Sequence, residues 1–361
     1  MKSLLNNLIK KYGSNILIFK NDGLGDQIII SGHLKKIINE YSRCKIYLLV
    51  DKKWKFYYRN YKYINAIYVN NKRFRFDLIY RIYMLAYLRS LKINIIIDPS
   101  ISRRPNSIIF YNFINPSLIL KWDQNLSVSY EKYTLNYKIK VKNVSFQNIN
   151  KKTTIHELDY LDFFFKLIAN LSSCRPLFNN FKKNDLMLNH PFVQSKNIVL
   201  IFTGRSFEQK HWGDENFNQL IVSLNSKYDN LFFIIAGQKN ETNFIKNINI
   251  KNIMQYNNID FNSLTHLINE SQIIIGNDTG FMHLAFASDK NLVGIVGGGH
   301  FGRFFPYPYS KSNQLILSEK MNCYYCNWNC IHDTVRCIKD IHVNYVFNNI
   351  VRIYENKFKN V

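Results

Sequence analysis

Gln272-Ile-Ile-Ile-Gly-Asn-Asp-Thr-Gly-Phe-Met-His-Leu-Ala-Phe-Ala287 is the stretch that decides the fold class of this chain. The apolar run over 273–275 reads as a strand covered on both faces. Asn277, Asp278 and Thr279 are turn and N-cap residues, and Gly280 lets a ligand approach the backbone. A helix starting near Phe281 points its unpaired N–H groups and its positive dipole end out of that turn, which suits phosphate or pyrophosphate. The same pattern also serves as a plain strand-turn-helix connection that binds nothing.

A second segment has the same shape. Asn15-Ile-Leu-Ile-Phe-Lys20 reads as a buried strand, followed by Asn21-Asp-Gly-Leu-Gly-Asp-Gln27 and a helical pattern over 28–41. Gly23 and Gly25 bring backbone amides close to a ligand, and Asp26 sits at the helix start. A carboxylate there is either a cap or a reactive group. The spacing is not Gly-x-Gly-x-x-Gly, so no dinucleotide fingerprint is present.

Around these two turns the chain alternates strand and helix patterns. The first half predicts strands over 16–19, 45–50, 66–69 and 93–97 and helices over 28–41 and 78–91. Residues 99–150 read as irregular, and 156–170 as a helix with Thr154 as its cap. Residues 172–196, with Pro176 and Pro191, read as a linker. The second half predicts strands over 198–202, 231–236, 272–275 and 292–296, and helices over 215–225, 241–247, 261–269 and 281–287. Such alternation implies parallel sheets covered by helices. The expected fold class is therefore α/β, with two Rossmann-like doubly wound domains, residues 1–180 and 181–361, facing across a cleft. Ligands of such sheets bind beyond the carboxyl ends of the strands.

The 361 residues, 47% of them hydrophobic, suffice for two cores. No apolar run is long enough to span a membrane, and no export signal is evident. Leu4, Leu5, Leu8 and Ile9 form one stripe beside Lys2, Lys10 and Lys11, which serves either a membrane-surface helix or one packed on its own domain. The 48 basic and 25 acidic residues give a net charge of +23, which implies a polyanionic partner. No nucleic-acid signature accompanies the charge, so an anionic membrane surface or phosphorylated glycolipid is expected rather than nucleic acid. Cys44 and Cys174 read as buried core thiols. Cys323, Cys326, Cys330 and Cys337 are spaced for structural zinc, two disulfides or four reduced thiols.

Three motifs together, Gly23-Leu-Gly-Asp26, Lys210-His-Trp212 and Asp278-Thr-Gly-Phe-Met-His283, resemble glycosyltransferase family 9, the heptosyltransferases of the lipopolysaccharide core. The resemblance implies a GT-B fold and transfer of a sugar with inversion at the anomeric carbon. It also implies that Asp26 is the catalytic base and that Lys210 contacts the donor phosphates. Asp22 is the rival base in the same turn, or a turn cap.

The strand Ile201-Phe-Thr-Gly-Arg-Ser-Phe-Glu-Gln-Lys-His-Trp212 runs into a loop where Thr203 and Ser206 offer hydroxyls and Lys210 a point charge. The family often carries Pro-Gly-Ala-Ser where this chain has Thr203-Gly-Arg-Ser206, so Arg205 either adds a phosphate contact or faces solvent. Asp278, Thr279 and Gly280 complete the donor side. Glu241 either accepts ribose hydroxyls or caps a helix. Trp212 is expected to pack the loop and His283 its own helix. Gly297-Gly-Gly-His300 and Arg303 read as a flexible polar loop.

No Asp-x-Asp motif occurs, which fits diphosphate stabilisation by lysine and helix dipole with no divalent metal. The expected activity is transfer of a sugar, heptose from ADP-heptose, to lipopolysaccharide core or another surface glycan, on the cytoplasmic side. A non-catalytic nucleotide- or glycan-binding paralogue and a basic nucleic-acid binder are the alternatives.

Overall fold

The computed structural model describes residues 3–59, 61–100, 105–122, 140–144, 155–171, 173–178, 197–204, 207–237, 250–257, 259–311 and 313–358. The chain forms two compact units. The first holds residues 1–153 and 158–175, the second 154–157 and 176–361. The main boundary thus falls at 175/176, near the 180/181 expected from the sequence.

The first unit runs α1 (Leu4–Tyr12), β1 (Asn15–Phe19), α2 (Leu24–Glu40), β2 (Lys45–Asp51), α3 (Lys55–Tyr58), β3 (Asn65–Val69), α4 (Asn71–Phe76), α5 (Leu78–Ser90), β4 (Ile95–Asp98), α6 (Pro105–Ile114), β5 (Leu118–Trp122), β6 (Lys140–Val144) and α7 (Glu157–Ala169). Its sheet is parallel, in the order β3-β2-β1-β4-β5-β6. Chain order reverses between β1 and β4, so a crevice opens at their carboxyl ends. The turn carrying Asp26 leaves β1 at that point.

The second unit runs β7 (Ile198–Phe202), α8 (Asp214–Lys227), β8 (Phe232–Gly237), β9 (Ile253–Asn257), α9 (Phe261–Glu270), β10 (Ile273–Asn277), α10 (Gly280–Ala287), β11 (Leu292–Ile295), β12 (Gln314–Leu317), α11 (Arg336–Lys339) and α12 (Val343–Phe358). Its parallel sheet has the order β12-β11-β10-β7-β8-β9. That is the same topology, with the switch point between β7 and β10. The turns after β7 and after β10 are therefore neighbours. Every residue of β7 and of β10 is buried, as expected of strands covered on both faces.

Several expectations needed revision. The second helix starts at Leu24, not residue 28, because Gly23 is extended and serves as N-cap while Asp26 accepts from the Gly23 N–H at 3.1 Å. The glycine-rich motif is thus itself the first helical turn. Residues 99–150 are not irregular throughout: helix α6 precedes strands β5 and β6, which extend the first sheet, with Ile96 paired to Ile119. Strands β9 and β12 and helix α12 were also unread. Helix α1 is packed on its own domain, since Leu5 and Leu8 are buried and Ser3 hydrogen-bonds the Tyr41 hydroxyl at 2.7 Å. Cys44 is only half-buried, whereas Cys174 is buried. The helix expected over 241–247 and the Thr154 cap lie outside the described residues.

Candidate active site

In the first unit, the turn after β1 is built around a buried cation. Lys20, 1% exposed, places its Nζ 2.9 Å from Asp22 Oδ2 and 3.8 Å from Asp26 Oδ1. Asp22 also accepts from the Ser100 hydroxyl at 3.0 Å, and its carbonyl accepts from Trp54 Nε1 at 2.8 Å. Gln27 donates to the Lys20 carbonyl at 2.9 Å and accepts from the Tyr58 hydroxyl at 2.6 Å. These bonds fix the turn from both sides, so its carboxylates are held in place before any ligand arrives.

The two rival carboxylates have different surroundings. The Asp22 side chain is 8% exposed and pinned by Lys20 and Ser100, while that of Asp26 is 22% exposed on the first turn of α2. Nearby Asp98 is half-buried; burial pushes its carboxyl up, and the Tyr111 hydroxyl donates to it. Gly23 and Gly25 lie in this turn, with Gly23 at an ordinary negative φ.

In the second unit, Gly204 follows Thr203 with φ +63, and a side chain there would strike Thr279 Cγ2. The loops after β7 and β10 thereby touch backbone to side chain. Lys210, at the end of the single turn Glu208–Lys210, donates to Asp278 Oδ2 at 2.5 Å. Burial is the strongest single influence and works to raise the Asp278 carboxyl, but its polar neighbours, the Lys210 ammonium first among them, together outweigh it and hold the group below the usual carboxylate range. Asn277 accepts from the Trp212 N–H at 3.2 Å and donates to the Ile295 carbonyl at 3.0 Å. Trp212 is fully buried and donates to the Ile341 carbonyl at 2.8 Å, packing the loop as expected.

Thr279 caps α10 by accepting from the Met282 N–H. The first-turn N–H groups of Gly280 and Phe281 have no intrahelical acceptor and lie at the positive end of the helix. Lysine has three N–H donors, of which Asp278 takes one. Lys210 and this helix end can therefore receive an anion together without breaking the ion pair.

Aromatic rings surround that lysine. The ring centroids of Phe207, Phe304 and Trp328 lie 5.8, 5.7 and 5.5 Å from Lys210 Nζ. Ring faces favour the ammonium and limit the water around it. Trp328 belongs to the cysteine-rich segment, which folds onto residues 297–299. Tyr325 and Asn327 N–H groups donate to the carbonyls of Gly298 and Gly299, at 2.9 and 3.1 Å, and Gly298 N–H donates to Cys337 Sγ at 3.2 Å. Tyr325, Asn327 and Trp328 all have left-handed backbones, with φ of 67°, 52° and 65°. Each such residue costs on the order of 1–3 kcal/mol, so the surrounding contacts must hold the segment. Residues 297–299, expected as a flexible loop, are instead buried beneath Tyr324 and Trp328.

Among the described residues all six cysteines are free thiols. Cys323, Cys326, Cys330, Cys337 and His332 line one small pocket that Gly298 also borders, with Cys323 Sγ 3.7 Å from His332 Nε2.

His283 packs as expected: it stacks on Phe305 and bonds the Tyr307 hydroxyl at 2.8 Å. Its Nε2 also lies 3.6 Å from Asp278 Oδ1, which the sequence did not signal. Burial lowers His283 to about 3 and His156 to about 4, from an ordinary 6.5. Both rings are therefore neutral in the folded chain. Between pH 6.5 and about 4 the unfolded chain binds more protons than the native one. Stability should thus fall as pH drops through that window, by up to about 1.4 kcal/mol per pH unit for each ring. Urea midpoints measured at neutral pH and near pH 5 should show this loss, and His156→Gln should reduce the slope.

Of the residues singled out in the sequence, the structure brings Thr203, Lys210, Asp278, Thr279 and Gly280 together and places Asp26, Gly23 and Gly25 in one turn of the other unit. Arg205, Ser206 and Glu241 lie outside the described residues. Lys20, Ser100, Phe304 and Trp328 were missed. Lys20 alone had a signal, as a lysine directly ending a buried strand before a glycine-rich turn.

A model of glycosyltransferase family 9 (heptosyltransferase) matches residues 138–332, more than half of the 361-residue chain. No curated protein matched in the sequence search. Among the similar solved structures are three glycosyltransferases. ADP-heptose lipopolysaccharide heptosyltransferase II of E. coli is 12% identical over 95% of this chain and 99% of that one, with a TM-score of 0.67. A family 9 glycosyltransferase of Veillonella parvula is 14% identical over 94% and 97%, with a TM-score of 0.71. E. coli heptosyltransferase WaaC, solved with ADP-2-deoxy-2-fluoro heptose, is 15% identical over 94% and 99%, with a TM-score of 0.63.

Proposed function

The chain belongs to glycosyltransferase family 9 and has the GT-B fold, and from that premise we propose that it transfers a heptose from ADP-heptose, with inversion and without a divalent ion, to the lipopolysaccharide core or another lipid-borne surface glycan. The observation that carries the reading is the Lys210–Asp278 pair at the N-terminus of α10, inside an aromatic cup at the switch point of the second sheet.

In this reading the donor diphosphate sits between Lys210 Nζ and the N–H groups of Gly280 and Phe281. Thr203, Ser206 and Thr279 offer hydroxyls to it, and Glu241 the ribose contact. Asp26 takes the proton from the acceptor hydroxyl as its oxygen attacks the anomeric carbon from the face opposite the diphosphate. One carbon–oxygen bond forms while the carbon–phosphate-oxygen bond breaks, and the electron pair leaves on ADP. Lys210 and the helix end balance that developing charge, the role a metal ion fills in other transferases. ADP as the nucleotide is supported by WaaC, solved with an ADP-heptose analogue. The excess of basic residues supports an anionic, membrane-borne acceptor on the cytoplasmic face.

The test is release of free nucleotide from ADP-heptose and other nucleotide-sugars, with a lipid A–core extract as acceptor, in EDTA. Acceptor-dependent release of ADP from ADP-heptose is expected, undiminished by the chelator. Donor binding without turnover across varied acceptors would move the protein to a non-catalytic role. Loss of turnover in EDTA would remove the metal-free part of the reading.

A further inference from the structure

Helices α4 and α5 carry an apolar surface that the described residues leave uncovered. Of the thirteen large apolar side chains exposed among them, six lie within residues 76–87: Phe76, Leu78, Ile79, Ile82, Tyr83 and Tyr87. Phe76 is 74% exposed and Ile79 82%. The spacing of 79, 82, 83 and 87 makes one stripe along α5. Its opposite face buries Met84, Leu85 and Leu88 in the core of the first unit. A helix apolar on both faces normally has both covered. An exposed cluster of this kind marks an interaction surface.

The rim of the patch is basic. Residues 71–91 hold Lys72, Arg73, Arg75, Arg81 and Arg89 against the single acid Asp77. Asp77 is used internally, as the cap of α5 and the partner of Arg73. An apolar stripe edged with arginines fits a bilayer surface bearing anionic headgroups, with the rings at headgroup level and the guanidinium groups on phosphate. A second copy of the chain fits poorly, since a two-fold contact through this face would set like charges against each other.

The patch is tied to the candidate catalytic turn. Asn71, the first residue of α4, donates to Asp51 at 2.7 Å, and Asn21 donates to Asn71 at 2.7 Å. Asn21 stands in the same turn as Asp26. We propose that the α4–α5 face docks the protein on anionic membrane, so that a lipid-borne acceptor meets the turn bearing Asp26. The functional half of this inference rests on the glycosyltransferase reading above; the docking does not. Helix α1, the other candidate from the sequence, already buries Leu5 and Leu8 against its own domain.

The test uses the full chain with vesicles of phosphatidylglycerol and phosphatidylethanolamine, compared with phosphatidylcholine vesicles, by co-sedimentation. Binding should be at least about tenfold tighter to the anionic vesicles and weaken in high salt. The double substitution Ile79→Ser with Ile82→Ser should lose about tenfold or more of it, with ADP binding and thermal midpoint unchanged. A separate variant, Arg75→Glu with Arg89→Glu, should lose the preference for anionic lipid. Equal binding of wild type and both variants would overturn the proposal. So would a lipid-free dimer that the Ile79 and Ile82 substitutions dissolve. Failure to bind ADP would instead count against the donor site and leave the docking result standing.

Discussion

Asp26→Asn should lower kcat by roughly 10²–10⁴-fold, the span a positioned general base contributes, while ADP affinity stays at the wild-type value. Asparagine keeps the side-chain oxygen that accepts from the Gly23 N–H, so the start of α2 is preserved. What it loses is the ability to take a proton. The contrast is Asp22→Asn. Asp22 is nearly enclosed and is the nearer acid to the buried Lys20 ammonium, at 2.9 Å against 3.8 Å for Asp26. Removing its charge leaves that ammonium poorly compensated, and the expected result is a loss of stability. Thermal midpoints and single-turnover rates on both variants separate the two roles. A stable Asp22→Asn enzyme with collapsed turnover, beside a near-normal Asp26→Asn enzyme, would exchange the assignments.

The sequence made the architecture legible where period and turn chemistry agreed. Fully apolar runs ending in Lys20-Asn-Asp-Gly or Gly276-Asn-Asp-Thr-Gly can only be central strands feeding helices, and both sit at switch points. The parts not read share a physical reason. Strand β12, Gln314–Leu317, lies at one edge of its sheet with its two middle residues only partly buried, so it lacks the fully apolar run of a central strand. Strand β9 lies at the sheet edge and is only partly buried, so its side chains need not be apolar. The candidate site shows the same limit. Residues in one turn, such as Asp26 with Gly23, or Asp278 with Thr279, announce themselves by spacing. The aromatic cup of Lys210 is assembled from positions 207, 304 and 328, and no local pattern joins them. Trp328 was hidden further, because its segment takes its conformation from Gly298 and Gly299 and not from its own propensity.

Lys210→Met should reduce kcat/KM by roughly 10²–10³-fold, the usual loss when one preorganised group stabilising a leaving anion is removed. Its cost divides between two sources that can be measured apart. The Lys210 side chain is 19% exposed and that of Asp278 6%, so the substitution strands a buried carboxylate as well as removing the cation that faces the diphosphate. The stranded acid predicts a lower thermal midpoint and, through repulsion of the diphosphate, weaker ADP binding. Adding Asp278→Asn to Lys210→Met removes the stranded charge, so stability and part of the ADP affinity should return while kcat stays low. Lys210→Arg keeps the charge but must fit a planar fork among Phe207, Phe304 and Trp328, and should recover binding better than turnover. If the double variant instead regained full kcat, the lysine would be serving only to neutralise Asp278. The charge on the departing ADP would then fall to the helix end at Gly280 and Phe281, whose N–H groups only a proline substitution would remove.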